Sequence, residues 1–122
     1  NTAISENPHQ PNTIIGNSSS AEGNGIVIGS SSIATSGNVA IGNYVRAIGT
    51  PDAVDPNNEF KFLKSDAKRG ATSLVSFGGR QLKTIAPGAM TETSTDAVNG
   101  AQLYSVAKEA MRHSTVAAET YT

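Results

Sequence analysis

The sequence contains no cysteine and no tryptophan, and aromatic residues make up only 5% of it. The lack of cysteine excludes disulfide bonds and thiolate metal sites. No run of apolar residues approaches the roughly 18 that a membrane-spanning helix needs. The 122 residues begin with Asn1 and open without a signal peptide, so we expect a piece of a longer protein whose targeting and anchoring segments lie elsewhere.

Core-forming residues are also scarce, since Leu, Ile, Val and Phe together make up about a fifth of the chain. That fraction lies near the limit below which a chain buries too little apolar surface to offset its loss of conformational entropy. The net charge is only −1, however, whereas disordered chains usually carry a high net charge. We therefore expect one compact domain or two small elements in series, with a core supplied by repetition or by oligomerisation.

Residue patterns for catalysis and metal binding are weak. The two histidines, His9 and His113, are far apart in the sequence and have no further metal ligand at a useful spacing. No G-x-S-x-G motif surrounds a serine, and the loop with Asp52 and Asp55 lacks the calcium-binding D-x-D-x-D-G pattern. The basic residues of 61–69 have acidic neighbours, which disfavours nucleic-acid binding. The sequence predicts no enzyme, no metal site, no cofactor and no nucleic-acid partner.

The first half of the chain repeats with a period of 13 residues. Each unit contains an Ile-Gly dipeptide, has an alanine five residues after the glycine, and ends in turn-forming residues. These columns hold Ile15, Gly16 and Ala21, then Ile28, Gly29 and Ala34, then Ile41, Gly42 and Ala47. A fourth unit fades out, with Val54 in the isoleucine column. A fixed period is the signature of a solenoid, and a Ser/Gly-rich linker with a chance match is the alternative.

Each unit reads as two short strands and two corners, which together form one coil. We expect Ile26-Val27-Ile28 to place its first and third residues on one face, with a tight glycine corner after it. Equivalent isoleucines of stacked coils then form a ladder. Three or four such coils enclose a thin core, and the small alanines indicate close approach of another surface. We infer that coils from several chains pack together.

The second half begins with the proline-containing loop 51–58. Two short strands are predicted next, one at Phe60–Phe62 and one at Leu74–Phe77. The residues between them, 64–70, form a charged insert.

A helix is predicted from an N-cap at Thr95 or Asp96 to about Ala118. The residues that keep a coiled-coil spacing of three and four are Asn99, Leu103, Val106, Ala110, His113 and Ala117. Only two of them are large aliphatics, so this helix is marginal alone. Asn99 in a coiled-coil core would cost stability but fix register and strand number. An ordinary amphipathic helix docked on its own domain is the alternative.

Two stretches resemble parts of YadA-like trimeric autotransporter adhesins. The V-A-I-G run that ends at Gly42 resembles the repeats of their head. A longer stretch, which includes the run T-D-A-V-N-x-A-Q-L, resembles their neck. The residues that carry the neck resemblance include Arg80, Gln81, Leu82, Ile85, Gly88, Asp96, Val98, Asn99, Gln102 and Leu103.

This resemblance implies a mainly β fold with a C-terminal α-helix: a trimeric left-handed parallel β-roll head, a neck, and a parallel trimeric coiled coil. On this division, residues 1–55 are head repeats, 56–94 a neck with an insertion, and 95–122 the start of the stalk. The resemblance also implies export to the surface of a Gram-negative cell and anchoring in the outer membrane by a C-terminal barrel beyond this fragment.

Two functions remain open from the sequence. The first is adhesion of a homotrimer to host extracellular-matrix proteins or cells, and the second is a structural spacer that displays a more distal binding tip. A monomeric ice-binding solenoid is disfavoured because one outward column mixes Glu22, Thr35 and Ile48. No ligand-binding residue is predicted. We expect Arg80, Asp96 and Gln102 to link the chains of the neck; these three define the neck hypothesis.

Overall fold

The computed structural model describes residues 11–64 and 68–120, which form two compact units. The first, called the roll unit, contains residues 11–59 and 69–81. The second, called the neck unit, contains the described residues of 60–68 and 82–120. Residues 1–10 of the predicted head, with His9, and residues 65–67 of the predicted insert lie outside the described part of the chain.

The roll unit consists of short parallel strands in two sheets. The strands are β1 (Thr13–Ile15), β2 (Ser20–Ala21), β3 (Ile26–Ile28), β4 (Ile33–Ala34), β5 (Val39–Ile41), β6 (Arg46–Ala47) and β7 (Val75–Ser76). One sheet has the order β1-β3-β5-β7, and the other has the order β2-β4-β6. Strands from successive repeats pair in parallel, with Ile15 opposite Ile28 and Ile28 opposite Ile41. The prediction of parallel sheets followed by one C-terminal helix is confirmed.

The fourth rung of the first sheet comes from beyond the loop. The chain leaves the repeats at Gly49 and returns at Leu74, whose carbonyl accepts a hydrogen bond from the Val39 N–H at 2.9 Å. The prediction of a fading fourth unit at Val54 was therefore wrong. Val75 of β7 pairs with Val39, and the V-S-F-G run that begins there matches the V-A-I-G of the third repeat.

A buried asparagine joins the exit and the return of the chain. The Asn38 side chain is fully buried, and its Oδ1 accepts a hydrogen bond from the Leu74 N–H at 3.0 Å. Its Nδ2 donates to the carbonyls of Ala47 at 3.1 Å and Gly49 at 2.9 Å. Because a buried amide is costly unless its polar atoms are paired, this arrangement fixes where residues 74–78 join the sheet.

The interior of the roll unit is formed by the middle residues of the longer strands. The buried apolar side chains are Ile14, Ala21, Val27, Ala34, Ala40, Val45 and Ala47. The first and third residues of β3, Ile26 and Ile28, are exposed instead. The isoleucine ladder thus lies on the outer face. The alanine column lies inside its own roll, so the surface that approaches it closely is the roll's other sheet. Packing of coils from several chains stays a prediction.

Glycine at the corner after each longer strand is required by close approach. The φ angle of Gly29 is +143°, and a Cβ there would stand 2.0 Å from the carbonyl oxygen of Gly42 in the next coil. Gly16 has the same relation to Gly29. The repeated glycine therefore allows successive coils to stack at strand spacing.

The neck unit contains helix α1 (Gly100–Thr120). The predicted start at Thr95 or Asp96 was wrong, because Asn99 is the N-cap: its Oδ1 accepts from the Gln102 N–H at 3.1 Å. Gln102 Oε1 accepts from the Asn99 N–H at 3.1 Å, which completes a capping box. The strand predicted at Phe60–Phe62 was also wrong, since Lys61–Leu63 has turn and bend conformation. In the described residues, no helix has the length and apolar character needed to cross a bilayer.

Candidate assembly surface

The outer face of the four-stranded sheet carries two columns in which every residue but Thr13 is apolar, and we call them the apolar columns. The first column holds Thr13, Ile26, Val39 and Val75, and the second holds Ile15, Ile28 and Ile41. Ile15 is 56% exposed, Ile28 43% and Val75 50%. Large exposed apolar patches on soluble proteins often mark interaction sites, so this face is the candidate assembly surface.

The outer face of the three-stranded sheet is different. Its paired outward residues are Ser20, Ile33 and Arg46, followed in the chain by Glu22, Thr35 and Ile48. The mixture of hydroxyl, charged and aliphatic groups makes it a solvated face, with a different character in each coil.

Serine side chains lock the corners that separate the two sheets. Ser32 Oγ donates to the Gly42 carbonyl at 2.7 Å and accepts from the Val45 N–H at 2.9 Å. One coil earlier, Ser19 Oγ donates to the Gly29 carbonyl at 3.0 Å and accepts from the Ser32 N–H at 3.1 Å. These bonds pair backbone groups inside the roll, so the apolar columns are held on a well-defined surface.

Arg80 links the returning segment to the third coil. Its Nη1 donates to the Phe77 carbonyl at 3.0 Å and its Nη2 to the Asn43 carbonyl at 3.3 Å. Both acceptors are backbone groups of the same chain. Gln81, which follows, is exposed.

The neck unit is organised around the side chain of Gln102. Gln102 Oε1 accepts from the Gly88 N–H at 2.9 Å, and its Nε2 donates to the Gly88 carbonyl at 2.8 Å. Asn99 Nδ2 donates to the Ile85 carbonyl at 3.3 Å, and Asp96 Oδ2 accepts from the Ala89 N–H at 2.9 Å. The residues of the neck hypothesis thus bind backbone within one chain, and interchain links from them stay a prediction.

Gly88 packs too closely for any larger residue. A Cβ at this position would stand 2.3 Å from the Ala97 carbonyl oxygen and 2.9 Å from the Asp96 Cβ. Residues 88 and 97 therefore lie close together at the two ends of a narrow loop, two residues before the N-cap of α1.

The predicted coiled-coil stripe of α1 is exposed in the single chain. Leu103 is 65% exposed and Val106 54%. Leu82 and Val98, also predicted as neck residues, are 54% and 56% exposed. Asn99 precedes the helix as its cap and does not extend the stripe. In the part of the neck unit that the structure describes, no side chain is fully buried, so this unit lacks an interior.

Charged groups on α1 are paired with each other. Arg112 donates to both carboxylate oxygens of Glu109, and His113 Nε2 lies 3.2 Å from Glu109 Oε1. Arg112 lowers the pKa of the Glu109 carboxyl, with a smaller lowering by His113 against the opposing effect of desolvation. The same ion pair raises the pKa of the Arg112 guanidinium. Among residues 11–64 and 68–120, no group of three or more His, Cys, Asp or Glu side chains is placed to hold a metal ion.

Comparison with known proteins identifies the architecture. No protein-family model matches the chain, and no curated protein matches it. The solved C-terminal YadA-like domain of a Burkholderia pseudomallei protein is similar, with a TM-score of 0.59 and 22% sequence identity. The chain has a YadA-like fold. The match covers 86% of this chain and 53% of that one, so this chain spans about half the length of the structure it matches.

Sequence reasoning missed the residues that hold this YadA-like fold together from inside. Ser19 and Ser32 stand 13 residues apart, at equivalent positions of two repeats, and that period was the available signal. Asn38 stands among the turn-forming residues at the end of its unit, and the 13-residue period gives no sign that its side chain is buried. The V-S-F-G run is separated from the repeats by an insertion, so the period does not place it in the sheet.

Proposed function

We propose that this chain assembles as a homotrimer through the two apolar columns of the four-stranded sheet and the stripe of α1. The observation that carries this proposal is the exposed apolar face of the roll unit, with Ile15 and Ile28 at 56% and 43% exposure. Burying such a face against two other copies enlarges a thin core. The similarity of the fold to a solved YadA-like domain also supports the proposal. The left-handed roll and the parallel coiled coil are part of the same proposal.

The assembly is proposed to act in adhesion at the surface of a Gram-negative cell. In this role it is the head and neck part of a trimeric autotransporter adhesin, and it binds host extracellular-matrix proteins or cells. Three identical outer faces raise the avidity for a repetitive ligand without tight single contacts. Attachment to the outer membrane would be supplied by a segment outside these residues.

The deciding experiment is the solution mass of the fragment by light scattering across a dilution series. A mass of three chains that persists on dilution supports the proposal, and a stable folded monomer contradicts it. Two variants locate the interface. Ile28→Glu places a charge on the apolar columns and should dissociate the assembly, whereas the matched Ile33→Glu, on the outer face of the other sheet, should leave the mass unchanged.

The second candidate function is that of a spacer. It is favoured by the mixed outer face of the three-stranded sheet, where Ser20, Ile33 and Arg46 share one column. A fragment that stays trimeric but binds no immobilised matrix protein would favour the spacer.

A further inference from the structure

The third coil carries larger exposed side chains than the first two. Tyr44, Arg46 and Ile48 are exposed and alternate with Val45 and Ala47, which are buried. We call these three exposed residues the third-coil row. The equivalent residues are Ser18, Ser20 and Glu22 in the first coil, and Ser31, Ile33 and Thr35 in the second. Tyr and Arg are the residue types most enriched at binding hot spots.

Tyr44 is unusual in its backbone as well as in its exposure. Its φ angle is +58°, in the left-handed region that a bulky side chain rarely adopts, and its side chain is 82% exposed. Ser18 and Ser31 hold the same corner with φ of +56°. Serine is thus sufficient for the turn, and the tyrosine ring adds strain without packing that repays it in the single chain.

The third-coil row borders an open strand edge. Strand β6 is the last strand of the three-stranded sheet. In the four-stranded sheet, by contrast, β5 of the same coil is followed by β7, which covers its edge. In the first two coils, the N–H groups of Ser20 and Ile33 donate to carbonyls one coil further on. The N–H groups of Arg46 and Ile48 meet no such acceptor among the described residues. Two donors, two residues apart on one edge, match the requirements of an added parallel strand.

Positive charge lies along the same edge. Arg46 forms no ion pair within the described part of the chain. The Arg80 guanidinium lies 3.3 Å from the carbonyl of Asn43, the residue before Tyr44. An arginine without an acidic partner, beside an exposed aromatic ring, favours a ligand that supplies carboxylates.

We propose that the third-coil row binds an extended acidic segment of a partner protein, which adds as a strand to the free edge of β6. Backbone pairing would hold the segment, its carboxylates would face Arg46, and an alternate side chain would pack on Tyr44. The proposal names the class of ligand for the adhesion function proposed above. It depends on that function in one respect only, namely that the trimer would present three copies of the site.

The test selects ligands from a phage library of random seven-residue peptides on the immobilised fragment. We expect enrichment of Asp and Glu at alternate positions. Selected peptides should bind Tyr44→Ser and Arg46→Ile at least about tenfold more weakly, and both changes place second- or first-coil residues in the third coil, so the fold is retained. N-methylation of alternate peptide amides should abolish binding, because it removes strand pairing.

Three results would overturn the proposal: selected peptides without acidic enrichment, equal binding to Tyr44→Ser, or a Tyr44→Ser variant whose assembly is smaller than that of the original chain. The last would make the row an interface between copies. Ser31→Tyr is the matched control, since the second coil has a covered edge, and it should not raise the affinity. Light scattering on the same samples separates the two proposals: a monomer that selects acidic peptides contradicts only the trimer, and a trimer that selects none contradicts only this site.

Discussion

The roll unit and the neck unit are held together by different kinds of contact. The roll unit buries an apolar interior that includes Val27 and Val45, and its strands are paired along two sheets. The described residues of the neck unit bury no side chain fully, and its loop is organised by amide side chains, chiefly Gln102. The first unit depends on packing and stacking, and the second on directional hydrogen bonds and an uncovered helix.

This difference indicates which part needs a partner. A solenoid supplies each coil with neighbours, so the roll unit keeps most of its contacts within one chain. A helix with an exposed stripe gains little without a surface to cover it, because isolated helices are marginal in water. We therefore expect substitutions in the buried interior of the roll unit to act within one chain. Substitutions in the stripe of α1 should act only through assembly.

The largest effect is expected from Gly29→Ala. The added Cβ would collide with the carbonyl of Gly42, and the alanine backbone would have to keep a positive φ. The coils therefore cannot stack. We expect a cost of about 5 kcal/mol, from backbone strain and overpacking combined. Circular dichroism should report loss of the strand signal with retention of the helical signal.

Gly70→Ala is the matched control for this change. Gly70 also lies in the roll unit, but a Cβ there meets nothing within 4 Å. The control should change the free energy of unfolding by less than about 0.5 kcal/mol. If Gly29→Ala behaved like the control, the coils would not be stacked at the spacing described.

The next largest effect is expected in helix α1. Leu103→Ala removes a side chain that is 65% exposed in the single chain. If the stripe of α1 is covered in an assembly, the change should cost about 2 kcal/mol per chain and make the melting temperature depend more strongly on concentration. In an uncovered helix the same change should cost less than about 0.5 kcal/mol.

Tyr104→Ala controls for helix propensity, since Tyr104 is equally exposed, at 65%, but lies beside the predicted stripe. Equal effects of the two changes in a thermal melt would contradict a seam through Leu103.

Much of the roll unit could be predicted from the sequence, because its period, strand length and corner glycines are local properties. Which side chains of each strand face the interior could not be predicted. With three-residue strands, alternation is satisfied whether the middle or the outer residues face inward, and Val27 and Ile28 are both aliphatic. The small alanines of the second sheet bring the two sheets close together. The space between them then accepts the single middle residue of each longer strand, such as Val27, and not the two outer residues.

The neck unit was less predictable for a physical reason. Asp96 and Asn99 are both good N-cap residues, and the choice between them depends on Gln102, which reaches Asn99 and Gly88 together. That coupling joins positions 14 residues apart. No helical or strand periodicity encodes such a contact.

A smaller effect is expected from Gln102→Ala. The change removes half of the capping box and both bonds to Gly88, and we expect a cost of about 1 to 2 kcal/mol. Hydrogen exchange should accelerate at the Gly88 and Asn99 amides and stay unchanged in β3. Gln81→Ala, an exposed glutamine of the roll unit, is the control; equally fast exchange in both variants would mean that Gln102 does not organise the neck loop.

The smallest effect concerns pH. Because Arg112 lowers the pKa of Glu109 below its ordinary value of 4.5, the ion pair stabilises the helix fully above that value and loses its contribution as pH falls through the lowered pKa. An NMR titration of the Glu109 carboxyl carbon should give a higher pKa in Arg112→Ala, whereas Lys108→Ala, which leaves the ion pair intact, should not shift it. The pair is exposed, so the change in melting temperature should be slight and should shrink with added salt. An identical Glu109 pKa in the original chain and in Arg112→Ala would mean that the pair does not persist in solution, and the helix would then owe its stability to its cap and to whatever covers Leu103.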